Sequence, residues 1–148
     1  MRRFATFLAT IFCASTAAAD IVRTEASGSV DEVTARLEAA VTTAGATVFA
    51  KVPHSKGAAS IDLELNDATL LIFGNPKLGT PAMQQDIHAG LILPLRVLVY
   101  ADDAGQTWIA HEDVETMFEG FAIDTNSKFV GAMTGALGKF STVAAEGQ

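Results

Sequence analysis

The sequence predicts an α+β fold: a single compact domain with a mixed or mostly antiparallel sheet and helices packed mainly on one face. Three observations carry that prediction. Elements run strand, helix, strand, strand, helix, hairpin, helices, an order that suits helices segregated to one side of a sheet. The turn-forming run Asp102-Asp103-Ala104-Gly105 separates two strand-like runs and so predicts a hairpin. The chain has 148 residues, enough for one core and too few for two, with no internal repeat or linker to divide it.

Taken in order, Asp20 to Ala26 reads as a short opening strand. Ser29 and Glu32 form the S-x-x-E of a capping box, and Val30, Val33, Leu37, Ala40, Val41 and Ala44 then recur at helical spacing until Gly45 offers a left-handed cap. Thr47 to Val52 is a strand closed by Pro53, which has no N–H for a ladder. His54 to Ser60 reads as either a loop or a short helix, and the alternation over Asp62–Leu65 suggests an extended segment. Thr69-Leu70-Leu71-Ile72-Phe73 is a continuous apolar run, the pattern of a central strand covered on both faces. A turn follows through Gly74–Thr80, then a helix from Pro81 to Leu91, a strand over Leu93–Tyr100 and its hairpin partner over Gln106–Ala110. Glu112 and Asp113 favour the start of a helix carrying Val114, Met117 and Phe118. Asp124 to Ser127 caps a last helix with the apolar set Phe129, Val130, Met133, Leu137 and Phe140.

Hydrophobic residues make up 49% and charged ones 18%, which excludes a disordered chain. The formal charge of -7 argues against nucleic acid and anionic lipid as partners. Arg2 and Arg3, the apolar run Phe4–Phe12 and the small residues Ala17-Ala18-Ala19 have the three parts of a secretory signal peptide. The expected division is a signal peptide over residues 1–19 and one domain over residues 20–148. That division places the protein in the periplasm or outside the cell, free of the membrane once cleaved. Cleavage would remove Cys13, the only cysteine, and with it any disulfide or thiolate site.

Candidate chemistry concentrates in Phe73-Gly74-Asn75-Pro76-Lys77-Leu78-Gly79-Thr80. A strand running through a glycine loop into a helix start directs free N–H groups at one point, where Lys77 adds charge and Thr80 a hydroxyl. The spacing is not that of a Walker loop. Arg96 stands in an apolar strand and needs a partner: Asp62, Glu64 or Asp86 within the chain, or the carboxylate of a ligand. The three histidines make no zinc motif, although His54, Met83 and His88 are candidate ligands for copper or zinc. No catalytic signature is present, Ser55 beside His54 lacking the elbow and orienting acid of a nucleophile.

Phe49-Ala50 with His54, Leu71-Ile72-Phe73-Gly74-Asn75-Pro76-Lys77 with Gly79-Thr80, and Leu93 to Val99 are similar to the bacterial family labelled domain of unknown function 302. The resemblance spans Val30 to Glu112, with helices continuing over residues 112–145. It implies a compact α+β fold paired as a homodimer and brings no reaction or cofactor. Its motif positions fall here on His54, Gly74, Asn75, Pro76, Lys77, Gly79, Thr80 and Arg96. Ala82 replaces a bulkier apolar residue of the family pattern, and Ile92 an acid, so any ligand contact from that acid is missing.

Together these features lead to an expectation of an exported, non-enzymatic binding module holding a small anionic or polar molecule. Its site is expected to gather His54, Gly74, Asn75, Lys77, Gly79, Thr80 and Arg96. The alternatives are a structural or interaction homodimer without a ligand, and a periplasmic metal-linked or redox accessory protein.

Overall fold

The structure is a computed structural model that describes residues 20–147. The expected signal peptide over residues 1–19, Cys13 included, lies outside the described residues.

Strands β1 (Ile21–Ala26), β2 (Thr47–Pro53), β3 (Ala68–Gly74), β4 (Leu95–Ala101) and β5 (Thr107–Glu112) form one sheet in the order β1-β5-β4-β3-β2, with every neighbouring pair antiparallel. The helices are α1 (Val30–Thr43), α2 (His54–Ala59), α3 (Pro76–Gln85), α4 (Val114–Met117) and α5 (Lys128–Ala145), with a 3₁₀ turn over Ile87–Leu91. This is the α+β arrangement expected of the sequence.

The start of α1 is a capping box: the Glu32 N–H donates to Ser29 Oγ at 3.3 Å, and the Ser29 N–H donates to Glu32 Oε2 at 2.8 Å. The Ser29 N–H first, then the Ser29 hydroxyl, which donates to Glu32 Oε2 at 3.0 Å, hold the Glu32 carboxyl below its ordinary range. The helix ends in a Schellman arrangement, with the Gly45 N–H on Thr42 O at 2.9 Å and the Ala46 N–H on Val41 O at 3.2 Å. The positive φ of +77° at Gly45 is what this ending requires. Val33, Leu37 and Val41 on α1 and Val130, Met133, Leu137 and Phe140 on α5 are buried against each other and against one face of the sheet. Alternate residues of the strands supply the opposing layer: Leu71 and Phe73 from β3, Val97 and Val99 from β4, Ile109 from β5. Phe73 meets Phe140 edge to face, their ring centroids 5.8 Å apart at 71°.

Four expectations need correction. Gly74–Thr80 is not an open turn preceding a helix at Pro81, because α3 already begins at Pro76. Proline suits a first helical position, where its missing N–H costs nothing, and Asn75 caps the helix. The expected continuous helix to Leu91 also stops at Gln85, and Asp86 caps the separate 3₁₀ turn. The extended reading of Asp62–Leu65 gives no strand, and Ile61, Leu63 and Leu65 remain largely exposed. The apolar run of β3 does lie in an interior strand, between β4 and the edge strand β2, but it is covered on one face only. Thr69, Leu71 and Phe73 are buried, whereas Leu70 and Ile72 point to the opposite face and are only half-buried.

Candidate functional site

Where β3 ends at Gly74 and β4 begins at Leu95, the core-side layer leaves a cavity of about 440 Å³ at one end of the sheet. Its walls come from four places: Phe49 on the edge strand, Phe73 at the end of β3, Leu78 and Met83 on α3, and Met133 and Phe140 on α5. Gly74, Asn75, Gly79 and Thr80 line it as well, so four of the sequence-predicted site residues do share one hollow. Gly74 lets Phe49 and Pro94 approach closely here. A Cβ at this position would stand 3.3 Å from the Phe49 ring and 3.4 Å from Pro94.

The N–H groups expected to cradle an anion are not free. Pro76 has none; the Lys77 N–H donates to Asn75 Oδ1 at 3.0 Å, and those of Leu78 and Gly79 donate to the Asn75 carbonyl at 2.9 and 3.0 Å. One asparagine thus satisfies the first turn of α3 by itself. Lys77 is exposed and does not line the cavity.

The other two basic groups lie elsewhere. His54 opens α2 just after Pro53, while the cavity end of β2 is Thr47, paired with Gly74. A strand of that length separates them by roughly 20 Å at about 3.3 Å per residue. Arg96 projects from the sheet face opposite the helices and donates to Glu112 Oε2 at 3.0 Å. Its partner is therefore neither Asp62, Glu64 nor Asp86. The structure does not bring His54, Lys77 and Arg96 together.

The metal candidates are also dispersed. Met83 lines the cavity, but the His88 side chain is 73% exposed and its Nδ1 lies 2.8 Å from Asp86 Oδ1. Asp86 also accepts the Ala122 N–H at 3.0 Å and the His88 N–H at 2.9 Å. These bonds, that from Ala122 foremost, hold its carboxyl below the ordinary range. Among the described residues no group of three or more His, Cys, Asp and Glu side chains is placed to hold a metal ion.

Sequence reasoning missed Phe49, Met133 and Phe140 as cavity residues. The helical period assigns Met133 and Phe140 to the core, which is also true. What no period reveals is that Ala44, Ala46 and Ala136 across from them are too small to fill the space.

The sequence profile of domain of unknown function DUF302 matches residues 22–138, a wider stretch than the motifs alone cover. A protein named fluoride-specific ion channel FluC 1 from Brucella suis biovar 1 is 34% identical over 125 residues, covering 82% of this chain and 49% of that protein. The protein of the same name from Brucella abortus biovar 1 is also 34% identical, with 82% of this chain and 46% of the relative covered. The chain thus spans about half the length of these relatives. Among solved structures, an uncharacterized conserved protein DUF302 from Bacillus stearothermophilus superposes with a TM-score of 0.74 at 16% identity. That alignment covers 85% of this chain and 98% of that one. Such a likeness shows a shared fold.

Proposed function

Because this chain belongs to the DUF302 family, a domain of unknown function, we propose its role from the geometry: a small binding module whose ligand enters the cavity beside Gly74–Thr80. One observation carries this reading. The cavity holds about 440 Å³, within the roughly 300–1,000 Å³ common for small-molecule sites, and its walls are apolar apart from Asn75 and Thr80. With the Asn75 side chain engaged in its cap, the lining favours a molecule with an apolar body and one polar end near the Thr80 hydroxyl. A compact anion gains little there, since no free N–H group of the first turn of α3 awaits it.

Two probes separate these chemistries: sodium decanoate, which has a chain and a head, and sodium fluoride, the anion in the name of the longer relatives. Decanoate is expected to raise the melting temperature and fluoride to leave it unchanged. Ala136→Phe places a ring in the cavity from a half-buried position on α5 and is expected to abolish the decanoate shift with the circular dichroism spectrum intact. No decanoate shift, or an undiminished one in Ala136→Phe, would sink the reading.

Export to the periplasm belongs to the same proposal and rests on the basic, apolar and small-residue order of residues 2–19. N-terminal sequencing of protein recovered from a periplasmic extract is expected to begin at Asp20. An intact Met1 would overturn it.

A further inference from the structure

Helices α1 and α5 cover only one face of the sheet, and the other face is open. On the open face lies a shallow hollow of about 510 Å³, and every residue lining it belongs to a strand. Strand register places its parts. Arg23 pairs with Ala110, Ala110 with Leu98, and Leu98 with Leu70, so one row crosses four strands as a cation followed by three apolar side chains. Arg96 precedes Leu98 on β4 by two residues and Tyr100 follows it by two, so both turn to the same face. Arg23 and Arg96 stand on either side of Ala110, two strands apart and one two-residue step along, which separates their Cα atoms by roughly 12 Å. Two arginine side chains leaning over a methyl group leave room for an anion between their planar, fork-shaped heads.

The use of arginine in this chain singles out the same pair. Arg23, Arg36 and Arg96 are the arginines of the described residues. Arg36 is spent on structure, its Nε donating to the Ala144 carbonyl at 2.8 Å and its Nη2 to that of Ser27. Arg23 makes no ion pair among the described residues, and Arg96 makes one, a single bond from Nη2 to Glu112 Oε2 at 3.0 Å. A guanidinium carries five N–H donors, so both heads keep most of theirs for another acceptor. The hollow therefore sets two cations against one anion on a chain whose formal charge is -7.

Glu112 also indicates which anion suits the place, because it is itself a carboxylate held by Arg96 through one oxygen. Its charge repels a second full negative charge nearby, so a monoanion fits better than a phosphate dianion. From Ala110 the apolar floor runs over Leu98 to Leu70, two strand spacings or about 10 Å, with the half-buried Tyr100 ring at its side. A floor made of a sheet surface, with no deep cleft, favours a flat ring that can also meet the tyrosine.

We propose that the open face carries a second binding site, which takes a flat aromatic carboxylate. The carboxylate lies between Arg23 and Arg96 above Ala110, and the rings rest on Leu98 and Leu70 beside Tyr100. This site is independent of what the cavity binds, because the cavity lies on the helix side.

Isothermal titration calorimetry with sodium 2-naphthoate tests it, against 2-naphthol, which has the rings without the carboxylate, and sodium phosphate. Naphthoate is expected to bind the unaltered protein, 2-naphthol at least about tenfold more weakly, and phosphate not at all. Arg23→Met and Arg96→Met keep an apolar stem at exposed positions and are each expected to raise the naphthoate Kd by about tenfold, the loss of one charge-assisted bond. Glu112→Gln releases Arg96 and is expected to tighten naphthoate severalfold. Ala136→Phe, altered in the cavity alone, is expected to bind naphthoate as the unaltered protein does. No naphthoate binding, equal affinity for 2-naphthol or phosphate, arginine variants that bind undiminished, or Glu112→Gln without a gain each overturns the assignment. So does binding that Ala136→Phe abolishes, which would put the molecule in the cavity.

Discussion

The two faces of the sheet are built from the same strands, yet they end differently. Leu71, Phe73, Val97, Val99 and Ile109 are at most 1% exposed beneath α1 and α5, whereas Leu70, Leu98 and Tyr100, one position away along the strands, are only half-buried. The open face also carries Arg23, Glu25, Arg96 and Glu112, so the charged positions of β1, β4 and β5 already tell in part which face is the core of the chain. The amphipathic stripes of α1 and α5 decide it, because both belong to the same side and lock to each other above β3, β4 and β5.

The largest test of that contrast is a truncation on each face. Phe73→Ala removes a ring that is 1% exposed and set edge to face against Phe140, so unfolding by urea should show a loss of about 3–5 kcal/mol, the usual cost of a buried phenylalanine. Leu98→Ala on the open face should cost about 1 kcal/mol or less in dilute protein, because much of the side chain is already wet there. Equal losses from the two variants in dilute protein would erase the distinction between the faces.

Much of the covered face was legible in the sequence. Val30, Val33, Leu37 and Val41 of α1 and Phe129, Val130, Met133, Leu137 and Phe140 of α5 are buried as their spacing expects, and Ser29, Glu32 and Gly45 mark the ends of α1 by the bonds expected of them, whereas Ser127 at the start of α5 makes no side-chain cap bond. The open face was misread through β3, where five consecutive apolar residues suggested cover on both sides within one chain. That pattern records which residues are apolar; it does not say which of the two faces the helices cover. The site was half legible for a related reason. Gly74, Asn75, Gly79 and Thr80 are neighbours in sequence and stay together, but Arg96 and His54 depend on register and on strand direction, which no local pattern encodes. Asn75 shows the limit most clearly, since the same residue that signals a helix start also satisfies the donors a ligand would have needed.

A smaller effect sharpens the covered side. Ser29→Ala removes the acceptor for the Glu32 N–H at the start of α1 and should cost about 1 kcal/mol in urea unfolding. Ser29→Asp should recover most of it, because a carboxylate caps as well and favours the positive end of the helix dipole. A loss in both variants would mean that the cap is not what holds α1 against the sheet.

The smallest effect belongs to the open face and is read through pH. Asp102 Oδ2 accepts the Trp108 indole N–H at 2.8 Å, and its Oδ1 accepts the backbone N–H groups of Ala104 and Gln106 at 2.9 Å. The indole bond first, then the Gln106 N–H, holds the carboxyl below the ordinary aspartate range. The unfolded chain binds this proton at a higher pH than the folded one does. The contribution is therefore complete above the unfolded aspartate range and is lost as the pH falls through it toward the lower folded value. Trp108→Phe removes the leading cause and keeps a ring on the face, so its melting temperature should fall less steeply than that of the unaltered protein across the acid range. An identical acid slope would mean that the turn N–H groups alone set the carboxyl.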